Sequence, residues 1–152
     1  MEEVEHLTVG DAENAASAVL ALVLQYPVFP KTFKANNKTV RWNTTCDDST
    51  SIGIFPLQGA RYIKKYVSGN YTAQFPYQII FRSSPTTNKT SIDAQTVLDK
   101  LAEWMEGAGV EFKDVHMQLE AIDRTSVVYP VYQDTKQVGY GVNMQLKYFY
   151  KK

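Results

Sequence analysis

The chain has 152 residues, enough for one domain, and carries 16 basic and 16 acidic residues. A domain of this length buries about 70% of the surface that its unfolded chain exposes, so it needs neither disulfides nor metal ions to fold. The balanced charge excludes a global attraction to nucleic acid or membrane surfaces and leaves room only for local charged patches.

The cellular location is constrained by three features of the sequence. The single cysteine, Cys46, excludes an internal disulfide and is typical of a reducing compartment. Residues 1–5 are acidic, the opposite of the start of a signal peptide. The longest apolar run, from Ala15 to Leu24, is shorter than the ~20 residues of a membrane span. We therefore expect a single intracellular domain over residues 1–152, without a membrane segment.

The first predicted helix runs from Asp11 to Gln25. Asp11 is a favourable N-cap, the many alanines raise the helix propensity, and Pro27 prevents continuation. Its apolar stripe consists of Ala15, Val19, Leu22 and Val23. Such an apolar helix is expected to be buried on more than one side, by its own sheet or by a neighbouring subunit.

Two short strands are predicted after this helix. Val40 to Trp42 forms the first, within a polar region that extends to residue 51. Ser51 to Leu57 forms the second, and Pro56 places it at an edge of the sheet because proline cannot donate to a neighbouring strand.

A β-hairpin is predicted next, with arms at residues 61–67 and 71–82. Gly69 and Asn70 are typical of a two-residue turn with positive φ angles. Pro76, in the returning arm, indicates either a bulge or a change of strand partner.

The second predicted helix runs from Thr90 to Glu106, and either Gly107 or Gly109 ends it. Thr90 and Asp93 have the spacing of a capping box, with the shorter acid at the second position. The apolar stripe consists of Ile92, Val97, Leu98, Leu101, Trp104 and Met105.

Three strands are predicted to complete the chain, at residues 115–122, 127–132 and 138–150. The first alternates Val115, Met117, Leu119 and Ala121 toward a buried face. The last also alternates, and at ~3.4 Å per residue it extends ~44 Å. A strand this long either bends or leaves its own sheet to meet another molecule. The order of elements predicts an α+β domain: a mostly antiparallel sheet with two amphipathic helices on one face.

The sequence contains no residues in a pattern typical of a catalytic, cofactor-binding or metal-binding site. Neither His6 nor His116 has another possible metal ligand at a suitable spacing in the sequence. His116 is interpreted as an ordinary histidine on a strand. The Cys46-Asp47-Asp48 segment lacks a positioned base and a third metal ligand. Gly139 and Gly141 lie within a strand, where glycine indicates a bulge or a close backbone approach rather than a phosphate loop.

Charge is unevenly distributed along the chain. Residues 31–65 contain seven basic and two acidic residues, whereas residues 89–123 contain eight acidic and three basic ones. This pattern is typical either of two solvated faces or of opposite patches that join copies head to tail. Within the first region, residues 61–66 (Arg-Tyr-Ile-Lys-Lys-Tyr) could face a nucleic-acid backbone or simply solvent.

Two stretches resemble a known family. Tyr71 to Ser83 is similar to the central hairpin arm of that family. Tyr129 to Tyr150 is similar to the family's C-terminal segment, a strand that contains a Val-Asn step and finishes in aromatic residues. Both, with the order of elements, resemble the tail terminator proteins of long-tailed bacteriophages, often labelled minor capsid proteins in phages of Gram-positive hosts.

The resemblance implies a structural virion protein without an active site or cofactor. Its subunits form a hexameric ring that ends tail-tube polymerisation and joins the tail to the head-completion (connector) proteins. The implied partners are other copies of the chain, the tail-tube protein and the connector, and DNA passes through the ring without sequence-specific binding. The location would be the virion tail, after assembly in the host cytoplasm.

Candidate interface residues and contact segments accompany this hypothesis. The loop from Phe33 to Thr50 and the hairpin tip are candidate contact segments. The individual interface candidates are Trp42, Arg61, Lys64, Lys65, Gly69, Asn70, Gly141 and Tyr148. Two other classes remain open: an adaptor or regulatory α+β module that binds a protein through its hairpin, and an enzyme whose site the sequence does not reveal.

Overall fold

The computed structural model describes residues 2–29, 39–42, 51–60, 62–83, 88–110, 112, 114–133 and 137–152, with side chains from residue 13 onward except 88–92 and 132. The elements are α1 (Glu2–Leu24), β1 (Val40–Trp42), β2 (Ser51–Pro56), β3 (Tyr62–Lys65), β4 (Tyr71–Ser83), α2 (Asn88–Gly107), β5 (Met117–Arg124), β6 (Tyr129–Gln133) and β7 (Val138–Tyr150). The seven described strands form one mostly antiparallel sheet on which the two helices pack, which confirms the predicted α+β class.

The centre of the sheet is the pair β4 and β7, each of 13 residues. They are antiparallel and in register throughout, from Tyr71 opposite Tyr150 to Ser83 opposite Val138. On its other side β7 pairs with β5 along one half and with β6 along the other. The expectation that the closing strand could leave its own sheet is therefore wrong, because β5 and β6 follow one another along the same edge.

Pro76 lies where β4 changes its partner. β3 pairs with Tyr71–Ala73 and β2 with Tyr77–Arg82, so Pro76 falls in the gap between them. Its carbonyl accepts a hydrogen bond from the Leu57 N–H at 3.0 Å, on the side of β2. The N–H and C=O of a strand residue point to the same side. The N–H that proline lacks would therefore point into this gap, and no hydrogen bond to β7 is lost. Of the two predicted meanings of Pro76, the change of partner is confirmed.

The prediction that β2 is an edge strand is wrong over most of its length. β1 pairs with it in parallel from Ile52 to Ile54, so these residues have neighbours on both sides. Pro56 lies beyond the end of β1 and is exposed. The proline therefore does sit at an open edge, but only at the last residue of the strand.

Both helices begin earlier than predicted. α1 starts at Glu2, so Asp11 lies inside the helix and is not its N-cap. α2 starts at Asn88, so Thr90 is likewise inside the helix, and it ends at Gly107, the first of the two predicted ends.

The predicted apolar stripes face the sheet. In α1, Ala15, Val19, Leu22 and Val23 are buried, whereas Glu13, Ser17 and Ala21 on the opposite side are exposed. Over residues 13–24, whose side chains the structure describes, α1 is thus buried on one side within the subunit. Beyond its end, the Tyr26 ring packs 5.3 Å from that of Trp104 in α2. Burial raises the pKa of Tyr26, and the nearby carboxylate of Glu103 raises it further.

A bulge in β5 changes the predicted buried set. Leu119 is opposite Tyr148 and Ala121 is opposite Lys147, so the register shifts by one residue between them. Alternation alone places Ala121 in the core, but the bulge turns Ile122 inward instead, at 3% exposure. Val115, also predicted to be half-buried, precedes the strand and is 87% exposed.

The core lies between the sheet and the helices. Its largest fully buried side chains are Tyr77, Tyr148, Ile52, Ile54, Ile79, Leu98, Leu101, Met105, Met144, Leu146, Val19 and Val23. The Tyr77 hydroxyl has the Met144 sulfur, 3.9 Å away, as its partner. Burial raises the pKa of Tyr77 well above its ordinary value.

Gly141 is a close-approach position within the subunit. A Cβ atom there would lie 2.7 Å from Val131 Cγ1 and 3.2 Å from Gln78 Nε2. Val131 belongs to β6, which pairs with β7 in the same sheet, and its side chain reaches over Gly141 from that neighbouring strand. The close approach at this glycine is therefore made by side chains of the same chain and not by another backbone.

We predict that Gly141→Ala destabilises the domain by about 1–3 kcal/mol, because the added methyl group overpacks the contact with Val131. The free energy of unfolding in urea measures this. Gly109→Ala is the matched control, since a Cβ atom at Gly109 meets nothing within 4 Å. Equal stability of the two variants would contradict the assignment.

We predict a pH-dependent difference between the wild type and Tyr77→Phe. Because the pKa of Tyr77 is raised in the folded state, its contribution is complete below the ordinary value of 10.0 and is lost as the pH rises above it. Near neutral pH the free energy of unfolding of the variant should differ from that of the wild type by no more than about 1 kcal/mol, because the Met144 thioether is a weak hydrogen-bond acceptor. Above pH ~10 the variant should lose less stability than the wild type, as measured by urea unfolding across an alkaline series.

Candidate interaction surfaces

The face of the sheet opposite the helices carries a cluster of amide side chains. We call Gln74, Gln78, Asn143 and Gln145 the amide face. Gln74 and Gln78 lie on β4, opposite Lys147 and Asn143 of β7 respectively. These side chains point away from the helices because they alternate with the buried residues of the same strands.

Hydrogen bonds connect the amide face into two groups. Gln78 Nε2 donates to the Tyr129 hydroxyl at 2.8 Å and to Asn143 Oδ1 at 3.1 Å. Gln145 Nε2 donates to Gln74 Oε1 at 2.6 Å, and Gln74 Nε2 donates to the Ala60 carbonyl at 2.6 Å. The four amides are uncharged and bond to one another, and beside them Lys147 Nζ lies 3.6 Å from a carboxylate oxygen of Asp123. Amide groups can both donate and accept, so this face suits contact through hydrogen bonds.

The hairpin turn differs from the predicted one. The Gly69 N–H bonds to the Tyr66 carbonyl at 3.0 Å, and the Tyr66 N–H bonds to the Asn70 carbonyl at 2.9 Å. Val67 and Ser68 are therefore the central residues of the turn, and Gly69 follows them with a φ of 95°. This is a longer loop closed by a left-handed glycine rather than a two-residue Gly-Asn turn.

Four lysines converge at the hairpin end of the sheet. We call Lys64, Lys65, Lys151 and Lys152 the lysine end. β3 and β7 both flank the start of β4, and the Lys152 N–H donates to Asn70 Oδ1 at 2.8 Å. His116 joins the same end, because its Nδ1 lies 2.8 Å from the Lys151 carbonyl and so donates to it. Exposed Ile63, Tyr66, Val67 and Val115 surround these charges.

Aromatic rings hold parts of the lysine end in place. Lys65 Nζ lies 4.1 Å from the ring centre of Tyr62, and Lys64 Nζ lies 5.1 Å from that of Tyr66. Below them the Tyr71 and Tyr150 rings stack at 4.8 Å. Cation–π contacts of this kind restrict the lysine rotamers without neutralising the charge.

The structure brings together half of the predicted interface residues. Lys64, Lys65, Gly69 and Asn70 share the lysine end. Gly141 is covered by the Val131 side chain, and Tyr148 is a core side chain with 2% exposure, so neither presents a side chain to a partner.

Trp42 lies elsewhere. Its ring stacks on Phe75 at 5.9 Å and lines a groove with Leu20 of α1. Arg61, Cys46 and most of the predicted contact loop lie outside the residues that the structure describes.

Sequence reasoning missed Lys151, Lys152 and Val115 as members of the lysine end. They are distant in sequence from the hairpin and meet it only through strand pairing of β7 with β4 and β5. The amide face was missed too, although the polar alternation of Asn143 and Gln145 in the last strand was a usable signal.

Neither a candidate metal site nor a candidate membrane span is present among the described residues. Across the described part of the chain, no three His, Cys, Asp or Glu side chains are grouped so that they could hold a metal ion. No described helix is both long enough and apolar enough to span a membrane.

Comparisons with known proteins give a likeness in fold. No protein-family model matches the chain, and no curated protein matches its sequence. A chain of a solved structure described as "Virion of native gene transfer agent (GTA) particle" is similar in fold, with a TM-score of 0.57 at 10% sequence identity. The match covers 88% of this chain and 96% of that chain, and at this identity it shows a shared fold.

We predict that Gly69→Ala destabilises the domain by about 1 kcal/mol, because alanine is strained at a φ of 95°. Gly69→Asn is the matched control, since asparagine tolerates this conformation better and displaces the Lys152 side chain equally. Urea unfolding of both variants measures the difference, and equal losses would assign the effect to Lys152 instead of the backbone.

Proposed function

We propose that the chain is a structural protein of a phage-like virion. The single observation that carries this proposal is the fold shared with a chain of a gene transfer agent virion over 88% of this chain and 96% of that one. The match spans nearly the whole of both chains, so the likeness covers the sheet and both helices and not a single motif. A fold by itself does not determine a function, so the surfaces of the chain must also suit the role.

The more specific role that we propose is that of a tail terminator. On this proposal the subunits form a hexameric ring at the end of the tail tube, which stops polymerisation and presents a surface to the head-completion proteins. The resemblance of Tyr71–Ser83 and Tyr129–Tyr150 to that family supports this role. The neutral amide face, with Gln78 and Asn143 already hydrogen-bonded, supports a protein that acts by contact and not as an enzyme.

The ring and the tube contact are tested together. We expect native mass spectrometry of the purified chain to give a hexamer, or a monomer that assembles only when tail tubes of the same phage are added. Co-expression with the tail-tube protein should give tubes capped by rings at one end in electron micrographs. Tubes that continue to elongate without caps would contradict tail termination.

The exposed hairpin favours a second candidate function. Ile63 is 49% exposed and Val67 is fully exposed, which suits an adaptor that inserts its hairpin tip into one partner protein. An adaptor of this kind would remain monomeric and leave tail tubes unaltered in the same two measurements.

A further inference from the structure

We propose that the lysine end of one subunit docks on an acidic ridge of α2 in a second copy of the chain. The ridge consists of Asp99, Glu103 and Glu106. This inference rests on the proposed ring, since it supplies the contact between neighbours. The surface is Lys64, Lys65, Lys151 and Lys152 with exposed Ile63, Val67 and Val115 among them.

The lysine end has the composition of an interface and not of a merely solvated edge. Of the large apolar side chains that are exposed in the described residues, most lie here: Ile63, Tyr66, Val67 and Val115. Apolar side chains ringed by charge are typical of a protein contact. The aliphatic members favour a protein over nucleic acid, because they can neither stack on bases nor bind phosphate.

The surface is also organised before any partner arrives. Lys65 is held over Tyr62, and Lys64 over Tyr66. The Lys152 side chain lies against Gly69, with its Cδ in the space that a Cβ there would need. Side chains that are already restricted lose less entropy on binding, so more of the contact energy remains as affinity.

The acidic ridge is the complementary surface on the same chain. Asp99, Glu103 and Glu106 are spaced four and three residues apart, so they follow one another along a single side of α2. Arg124 forms an ion pair with Asp99, and its Nε lies 3.7 Å from Glu106 Oε1. Among the described residues Glu103 has no basic partner. Val28, 66% exposed, follows Tyr26 near the same helix end and adds an apolar element.

The position of the ridge on the helix is unfavourable for the isolated subunit. Carboxylates near a helix C-terminus are repelled by the negative end of its dipole. α2 has no basic residue in its last turn to compensate. Lysines from a neighbour would supply the positive charge that this helix end lacks.

One subunit cannot satisfy this complementarity by itself. The lysine end adjoins Met117, which is opposite Tyr150 at the start of β5, whereas the ridge contacts Arg124 at the end of that strand. The eight residues of β5 separate the two by ~24 Å. Two different, complementary surfaces on one chain make a head-to-tail contact, which closes into a ring when the rotation allows.

The experiment is a charge exchange measured by assembly. We expect Lys64→Glu/Lys65→Glu to raise the concentration for half-assembly at least tenfold, and Glu103→Lys to do the same. Combining the three substitutions should restore most of the assembly, because the reversed charges again attract. Asp93→Lys, at an exposed position of α2 ten residues before Glu103, is the control for a charge reversal on this helix and should assemble as well as the wild type. Circular dichroism establishes that each variant is folded.

Each outcome decides the inference. Restoration by the combined variant supports it. If the lysine variant assembles like the wild type, or if the combination restores nothing, the inference is wrong while the ring proposal stands. A lysine variant that assembles normally but no longer binds duplex DNA would assign the lysine end to phosphate instead. A wild-type chain that neither assembles nor caps tubes overturns both proposals.

Discussion

The fold depends on the continuous pairing of β4 with β7. All 13 residues of each strand are paired, so Tyr77, Ile79 and Phe81 are aligned with Met144, Val142 and Tyr140 on the face that the helices cover. A register slip of β7 by one residue would turn Met144, Val142 and Tyr140 to the amide face. The short strands, the helices and both interaction surfaces take their positions from this one pair.

The same pairing explains why the two faces of the sheet differ. The helix side is filled by aromatic and aliphatic side chains, with even the Tyr77 hydroxyl buried. The opposite side is closed by amides that bond to one another, such as Gln78 with Asn143. Such cross-strand amide pairs satisfy polar groups without charge, so the uncovered face is compatible with water and with a protein partner.

The two proposed contact surfaces place their charge at one end of the sheet and on a helix, whereas Lys147 on the central strand is paired with Asp123. Lysines gather where β3, β4 and β7 meet, and carboxylates gather on α2. In a neutral chain this separation gives association a direction, because like surfaces repel and unlike surfaces attract. For the role proposed above, assembly by contact needs such a direction more than it needs chemistry.

The sequence by itself determined the α+β class, the apolar stripes of both helices, the hairpin and the closing strand, because periodicities of 3.6 and two residues are local properties. It also indicated the special positions of Pro76 and Gly141. Tertiary structure alone decided what those positions contact, since Pro76 marks a partner change in strand pairing and Gly141 is crossed by Val131 of the same chain. It likewise turned Ile122 inward through a bulge and brought Lys152 to Asn70, because strand register joins residues that no local pattern connects.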